Sequence, residues 1–331
     1  MAPVQGEIHG VAHDRDMKIG MIGAGRVGSA ALLSVVMRGC AREIVVVNRD
    51  RKRARGVATD LQYGASLSPV VAIRDGDYSD LTGAGLVLIS AGANEQTGGA
   101  TDRHDSAGRL RLLDTNADVY REILPPLLRA APDAVILVLT DPPDPLADLV
   151  RMFGFKYVLS SGTLLDSLRF RFHLARRLGV DPASVEANVL GEHGTSEVFV
   201  WSSARVSGVP VFDALPHEDG NRQELQQRIE QEVRYANITI IEGIGASQYG
   251  IGMVSARLAE IVLRDERAVV PIGSYNPTYG VTLSLPSVVG RQGVVHILEP
   301  DLSEEERQAL QRSAETLRKA LARMQETRAA A

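Results

Sequence analysis

Short, mainly apolar runs alternate along the first half of the chain with longer segments whose apolar residues recur every three or four positions. Residues 18–22 (KIGMI), 43–47 (EIVVV), 70–73 (VVAI), 86–89 (LVLI) and 134–139 (AVILVL) are apolar on both faces. Runs of that kind predict strands buried on both sides. Between the first two, residues 26–38 carry small and apolar side chains at helical spacing and stop at Gly39; 50–62 predicts a second helix. Strands alternating with helices in this way make a parallel sheet covered on both faces.

After about residue 160 the texture changes. Amphipathic helices are predicted over 164–178, 222–241 and 250–263. Two strand-like runs, 268–272 and 280–285, flank a Ser-Tyr-Asn-Pro segment and predict an antiparallel pair. A long charged helix spans 303–325, where Ser303 followed three residues later by Glu306 has the form of a capping box. The expected organisation is a flexible extension over 1–16, a dinucleotide-binding α/β domain over 17–160 and a mixed α+β catalytic or substrate domain over 161–327.

Length and composition agree with two soluble domains: 331 residues, 44% hydrophobic and 23% charged. With 36 Lys+Arg against 41 Asp+Glu the net charge is −5, so no global attraction draws the chain to nucleic acid or anionic membrane. No apolar run approaches the roughly 20 residues of a membrane span. Residues 1–16 lack the apolar core of a signal peptide. The single cysteine, Cys40, cannot form an internal disulfide. A cytoplasmic enzyme or binding protein is expected.

Candidate chemistry begins at Gly23-Ala24-Gly25-Arg26-Val27-Gly28. This G-x-G-x-x-G follows a predicted strand and opens a predicted helix, the context in which it cradles a dinucleotide pyrophosphate. Gly23 allows the tight turn, Gly25 lets the backbone approach the phosphates and Gly28 lets the helix pack on the sheet. Where an NAD site has a carboxylate for the ribose 2′-hydroxyl, this chain has Asn48 followed by Arg49. An amide does not repel a 2′-phosphate, and a guanidinium can pair with it, so NADP is expected over NAD. The alternative is that Arg49 is one more solvated charge in a charged run.

With these residues placed, the chain resembles the L-lactate/malate dehydrogenase family over about residues 17–325. The resemblance is carried by GAGRVGSA at 23–30, SAGAN at 90–94, SGTLLDSLRFRF at 161–172, GEHG at 191–194 with Trp201 after it, and the tail from 285 to 319. It implies a Rossmann-type doubly wound parallel sheet, a homodimer or homotetramer, and hydride transfer between a nicotinamide and a 2-hydroxy or 2-oxo acid. By the same resemblance His193 is the proton donor and acceptor, Asp166 orients it, Arg169 clamps the substrate carboxylate, and Arg109 polarises the carbonyl from a closing loop. Ala91, Gly92, Asn116 and Val138 join the glycine loop, Asn48 and Arg49 as cofactor contacts. No metal is expected.

Five departures or uncertain alignments stand out. The stretch from Gly92 to Gly108 is longer than the family's mobile loop and is expected to be a lid. Arg111 is a rival to Arg109. Arg103 stands where an arginine would bind a second substrate carboxylate, with Glu95 or Gln96 as alternatives; arginine there would favour a dicarboxylic substrate. Asp141 replaces an asparagine that donates to substrate in the family, and an ionised carboxylate cannot donate. Ser247 matches a pocket threonine and removes a methyl. An atypical substrate pocket is therefore expected, with an ordinary malate or L-lactate dehydrogenase, or a non-catalytic dinucleotide-binding protein, as alternatives.

Overall fold

The computed structural model describes residues 17–93, 96, 101, 102, 105, 108–215 and 221–329. The first half alternates β1 (Lys18–Ile22), α1 (Arg26–Arg38), β2 (Glu43–Val47), α2 (Arg51–Gly64), β3 (Ala72–Asp75), β4 (Leu86–Ile89), α3 (Leu113–Ala130), β5 (Val135–Val138), α4 (Pro143–Met152) and β6 (Tyr157–Ser160). The second half opens with α5 (Leu164–Leu178). Short strands β7 (Val185–Glu186), β8 (Val189–Leu190), β9 (Val198–Phe199), β10 (Arg205–Val206) and β11 (Val209–Pro210) follow. Then come α6 (Val211–Ala214), α7 (Arg222–Arg234), α8 (Ala236–Ile244), α9 (Tyr249–Leu263), β12 (Ala268–Asn276), β13 (Val281–Gly290), β14 (Gly293–Ile297) and α10 (Glu304–Ala329).

The first six strands are parallel, and β1 pairs with both β2 and β4. That reversal of strand order is the switch point at which doubly wound sheets bind ligands. The apolar-on-both-faces pattern has a direct cause. Met21, Ile44, Val46 and Leu88 enter one core, while Ile22, Val45, Val47, Val87 and Ile89 enter the other. Each such buried side chain contributes about 1.5–3 kcal/mol. At the end of α1, Gly39 is left-handed (φ 61°) and its N–H donates to the carbonyls of Val35 and Val36. Asp50 caps α2 by accepting from the N–H groups of Lys52 and Arg53.

Strands β12, β13 and β14 do not form a separate sheet. They extend the parallel one in the order β14-β13-β12-β6-β5-β4-β1-β2-β3, and β12 meets β6 where Gly273 pairs with Ser160. A Cβ on Gly273 would lie 1.8 Å from Ser160 Oγ, so only glycine fits that junction. A second bond between the halves is α9 on α1. They approach so closely that a Cβ on Gly252 would lie 2.8 Å from the Ala30 backbone.

Differences from the sequence expectations have local causes. The third strand is Ala72–Asp75 rather than 70–73, because Glu43 pairs with Ala72 and the Ala72 N–H donates to the Arg42 carbonyl. The segment 222–241 is two helices that break at Tyr235, whose φ of −103° and ψ of 10° leave helical geometry. Helix α4 starts on Pro-Asp-Pro, where the rings remove only N–H groups that a first turn leaves unbonded. The capping box is present: Ser303 and Glu306 exchange hydrogen bonds of 2.9 and 3.2 Å. The expected extension over 1–16 lies outside the described residues.

Candidate active site

The carboxyl ends of the parallel strands open onto a cavity of about 1080 Å³. At one end β1 turns through Gly23 (φ 104°) into the N-terminus of α1. A Cβ on Gly23 would lie 2.7 Å from the Ala91 nitrogen, and one on Gly28 2.0 Å from the Gly23 carbonyl, whereas one on Gly25 would meet nothing. The loop is thus closed on the protein side and open on the cavity side. That is the shape a phosphate group needs to reach the helix N-terminus. Gly23, Gly25, Arg26, Val27, Asn48, Arg49, Ala91 and Gly92 line the cavity; Gly28, Asn116 and Val138 are not among its lining residues.

Asn48 holds the loop rather than standing clear of it. Its Oδ1 accepts from the Ala24 N–H at 3.0 Å, and its Nδ2 donates to the Asp50 carbonyl at 3.0 Å. Arg49 is exposed at the cavity mouth. Arg53 donates to the Ala24 carbonyl at 2.6 Å, and Arg26 reaches across to the Ile244 carbonyl at 2.7 Å. Asn116 is fully buried. Its side chain accepts from the Ala93 N–H at 2.7 Å and donates to the Asp141 carbonyl at 2.6 Å, tying the start of the long loop to the β5–α4 turn.

At the other end, Asp166 and Arg169 stand one turn apart on α5, and Arg169 Nη1 donates to Asp166 Oδ1 at 3.0 Å. Asp166 Oδ2 lies 2.5 Å from Nδ1 of His193. A carboxylate there selects the Nδ1–H tautomer and leaves Nε2 for chemistry. His193 Nε2 lies 4.0 Å from Oδ1 of Asp141. The main-chain N–H of His193 donates to Oδ2 of Asp144 at 2.8 Å. Ser160 donates to the other oxygen of Asp144 at 2.5 Å. Burial pushes the Asp144 carboxyl up to about 7 against the pull of those two donors; the charges of Glu192 and Asp148 add to the rise. Ser247 also lines the cavity.

Arg109 lies in a 3-10 turn, Gly108–Leu112. Its rival Arg111 pairs with Asp105. Arg103, Glu95 and most of the expected lid lie outside the described residues. Sequence reasoning missed Asn237, which the break at Tyr235 brings to the cavity wall, and Tyr78 and Glu122, which also line it. It also missed Asp144, although an acidic residue in the first turn of a Pro-started helix was a readable signal. Asp166, His193 and Glu197 each bring an oxygen or nitrogen within 4.8 Å of the others. Nδ1 of His193 is already engaged with Asp166 in the 2.5 Å contact.

A switch-point cavity with a glycine loop at one end and a His–Asp–Arg set at the other defines a nicotinamide-dinucleotide oxidoreductase. The chain matches the lactate/malate dehydrogenase NAD binding domain over residues 17–156 and the lactate/malate dehydrogenase alpha/beta C-terminal domain over 163–328. It is 45% identical to an L-lactate dehydrogenase of Deinococcus radiodurans over 304 residues, covering 91% of this chain and 97% of the relative. To the L-lactate dehydrogenase of Thermus aquaticus it is 44% identical, with coverage of 91% and 97%. A lactate dehydrogenase from a Medee basin deep-sea metagenome library superposes with a TM-score of 0.86 at 33% identity, covering 94% of this chain and 99% of that one. The chain belongs to the lactate/malate dehydrogenase family. It is an oxidoreductase that moves a hydride between a nicotinamide dinucleotide and a 2-hydroxy or 2-oxo acid. No helix among the described residues is long and apolar enough to cross a membrane.

Proposed function

We propose that the protein is a cytoplasmic (S)-2-hydroxy acid dehydrogenase of the L-lactate type, with a substrate pocket altered at Asp141. The observation that carries this reading is the 2.5 Å contact between His193 Nδ1 and Asp166, set beside Arg169 in the cavity that the glycine loop opens. The bound dinucleotide supplies or takes up the hydride at the substrate's second carbon. His193 Nε2 gives a proton to the carbonyl oxygen on reduction and takes it back from the hydroxyl on oxidation. Asp166 keeps the ring in the required tautomer and stabilises the imidazolium. Arg169 binds the substrate carboxylate through two parallel N–H groups. Arg109 polarises the carbonyl when the loop closes, and Arg103 is the candidate for a second substrate carboxylate. No metal takes part.

The glycine loop, Arg49 and the main chain around Ala91 and Gly92 bind the dinucleotide; Asn116 and Asn48 shape that surface through the backbone bonds described above. The amide at Asn48 and the exposed guanidinium of Arg49 favour NADP over NAD. Exposed Leu33 and Met37 on α1, with Tyr249 and Met253 on α9, favour a homodimer or homotetramer that covers them. The test is turnover of a panel of 2-oxo acids, pyruvate and oxaloacetate first, followed by cofactor absorbance. His193→Gln should lower kcat by about two to four orders of magnitude with cofactor affinity intact. A variant that turns over at the native rate removes the assignment.

A further inference from the structure

His193 is held at two places, and only one of them is its ring. The main-chain N–H is fixed by Asp144, a side chain that is 1% exposed and shares no surface with the substrate cavity. The same carboxylate accepts from Ser160 at the residue where β6 meets β12, and a Cβ on Gly273 would come within 2.7 Å of its Oδ1. One buried carboxylate therefore joins three elements: the start of α4, the seam between the parallel and antiparallel strands, and the loop that carries the imidazole. Both of its oxygens serve those contacts, and no described cation pairs with it directly.

We propose that Asp144 is a positioning residue for the dehydrogenase reaction, whose ionised carboxylate fixes the main chain of His193 and so places Nε2 over the reacting oxygen. This rests on His193 being the proton donor and acceptor. The bond from an N–H to a carboxylate is roughly twice as strong as that to a neutral carboxyl. Displacement of a catalytic group by about an ångström costs on the order of a hundredfold in rate. Protonation of Asp144 therefore loosens the loop without abolishing its fold.

The surroundings make that proton relevant near neutrality. From the loop side Asp144 is faced by the charge of Glu192 and by the main-chain N–H of His193. Along α4 it is faced by Asp148, which lies 3.5 Å from Arg151. From β6 comes the Ser160 hydroxyl, and from β12 the backbone of Gly273. Burial and the two nearby acids hold the carboxyl about 7.

The experiment is the pH profile of kcat and KM for 2-oxo acid reduction by the native enzyme, Asp144→Asn and Ser160→Ala. An asparagine copies the neutral carboxyl. Across the acid range Asp144→Asn should hold one constant rate, the one the native enzyme reaches only at its acid extreme, about tenfold or more below the native plateau, with KM nearly unchanged. The acid limb of kcat disappears. If Asp144→Asn does not fold, Ser160→Ala serves instead: losing one donor to the ionised form moves the acid limb to higher pH. An acid limb that stays in place in whichever variant folds overturns the proposal. So does an Asp144→Asn enzyme with native kcat across the range. His193→Gln in parallel separates the two claims: if it retains native turnover the assignment of His193 fails, and if it is inactive while Asp144→Asn is native only the brace fails.

Discussion

Nε2 of His193 faces Oδ1 of Asp141 across 4.0 Å, at the ring nitrogen that Asp166 does not hold. A substrate oxygen has to come to that nitrogen to exchange its proton. Negative charge grows on the oxygen during reduction, and a neighbouring carboxylate opposes it by Coulomb repulsion. An amide in the same place would donate a hydrogen bond instead. Asp141→Asn is therefore expected to raise turnover with pyruvate or oxaloacetate, by about tenfold for one recovered hydrogen bond to a charged group. Steady-state rates of both variants check it; flat rates with both substrates remove Asp141 from the substrate site.

Much of this arrangement was legible in the chain. The runs 18–22, 43–47 and 86–89 became strands at those limits because their two faces feed two cores, and such a run has few other uses. The pairing of Asp166 with His193 followed from the family resemblance, not from spacing: twenty-seven positions separate them, and only the tertiary fold closes that distance. Asn237 and Asp144 were hidden for a related reason. Asn237 reaches the cavity through a helix break that has neither glycine nor proline to announce it. Asp144 works through a main-chain N–H, and backbone partners leave no mark on side-chain pattern. The merging of both halves into one sheet rests on the Gly273–Ser160 contact, too small a feature for periodicity to show.

Arg49 gives a direct test of cofactor choice. It stands exposed at the cavity mouth beside Asn48, whose amide is committed to Ala24 and Asp50. A bidentate guanidinium–phosphate contact is charge-assisted and contributes roughly 1.5–3 kcal/mol. Arg49→Ala should therefore lower kcat/KM for NADP by about ten- to a hundredfold and leave that for NAD within a few-fold. Measuring both cofactors with the same 2-oxo acid decides it. A native enzyme that prefers NAD, or an equal loss with both cofactors, rejects the role given to Arg49.

Gly92 links the cofactor surface to the β5–α4 turn. Its φ is 157°, and an added Cβ would lie 2.6 Å from both Asn116 Oδ1 and Thr140 Cγ2. Neither neighbour can yield cheaply, because Asn116 is buried and bonded to Ala93 and Asp141. Gly92→Ala is expected to destabilise the protein by about 1–3 kcal/mol through overpacking and to weaken cofactor binding. Thermal unfolding with and without dinucleotide measures both. A variant as stable as the native protein, with the same ligand-induced rise in Tm, contradicts the close packing.

Asp144 also sets a pH dependence of stability, and its sign is fixed by the direction of the shift. Burial raises its carboxyl from the ordinary value of 3.8 to about 7. The folded protein then holds the proton more tightly than the unfolded chain does. The resulting stabilisation is complete below pH 3.8 and is lost as pH rises through about 7. Above that range the native protein bears the cost of a buried charge that an asparagine does not carry. The difference in Tm between Asp144→Asn and the native protein should therefore move in favour of the variant as pH increases from 5 to 8, roughly the span of the titration. Differential scanning fluorimetry at matched ionic strength records it. A difference that stays constant over that span, or moves towards the native protein, contradicts the upward shift of the buried carboxyl.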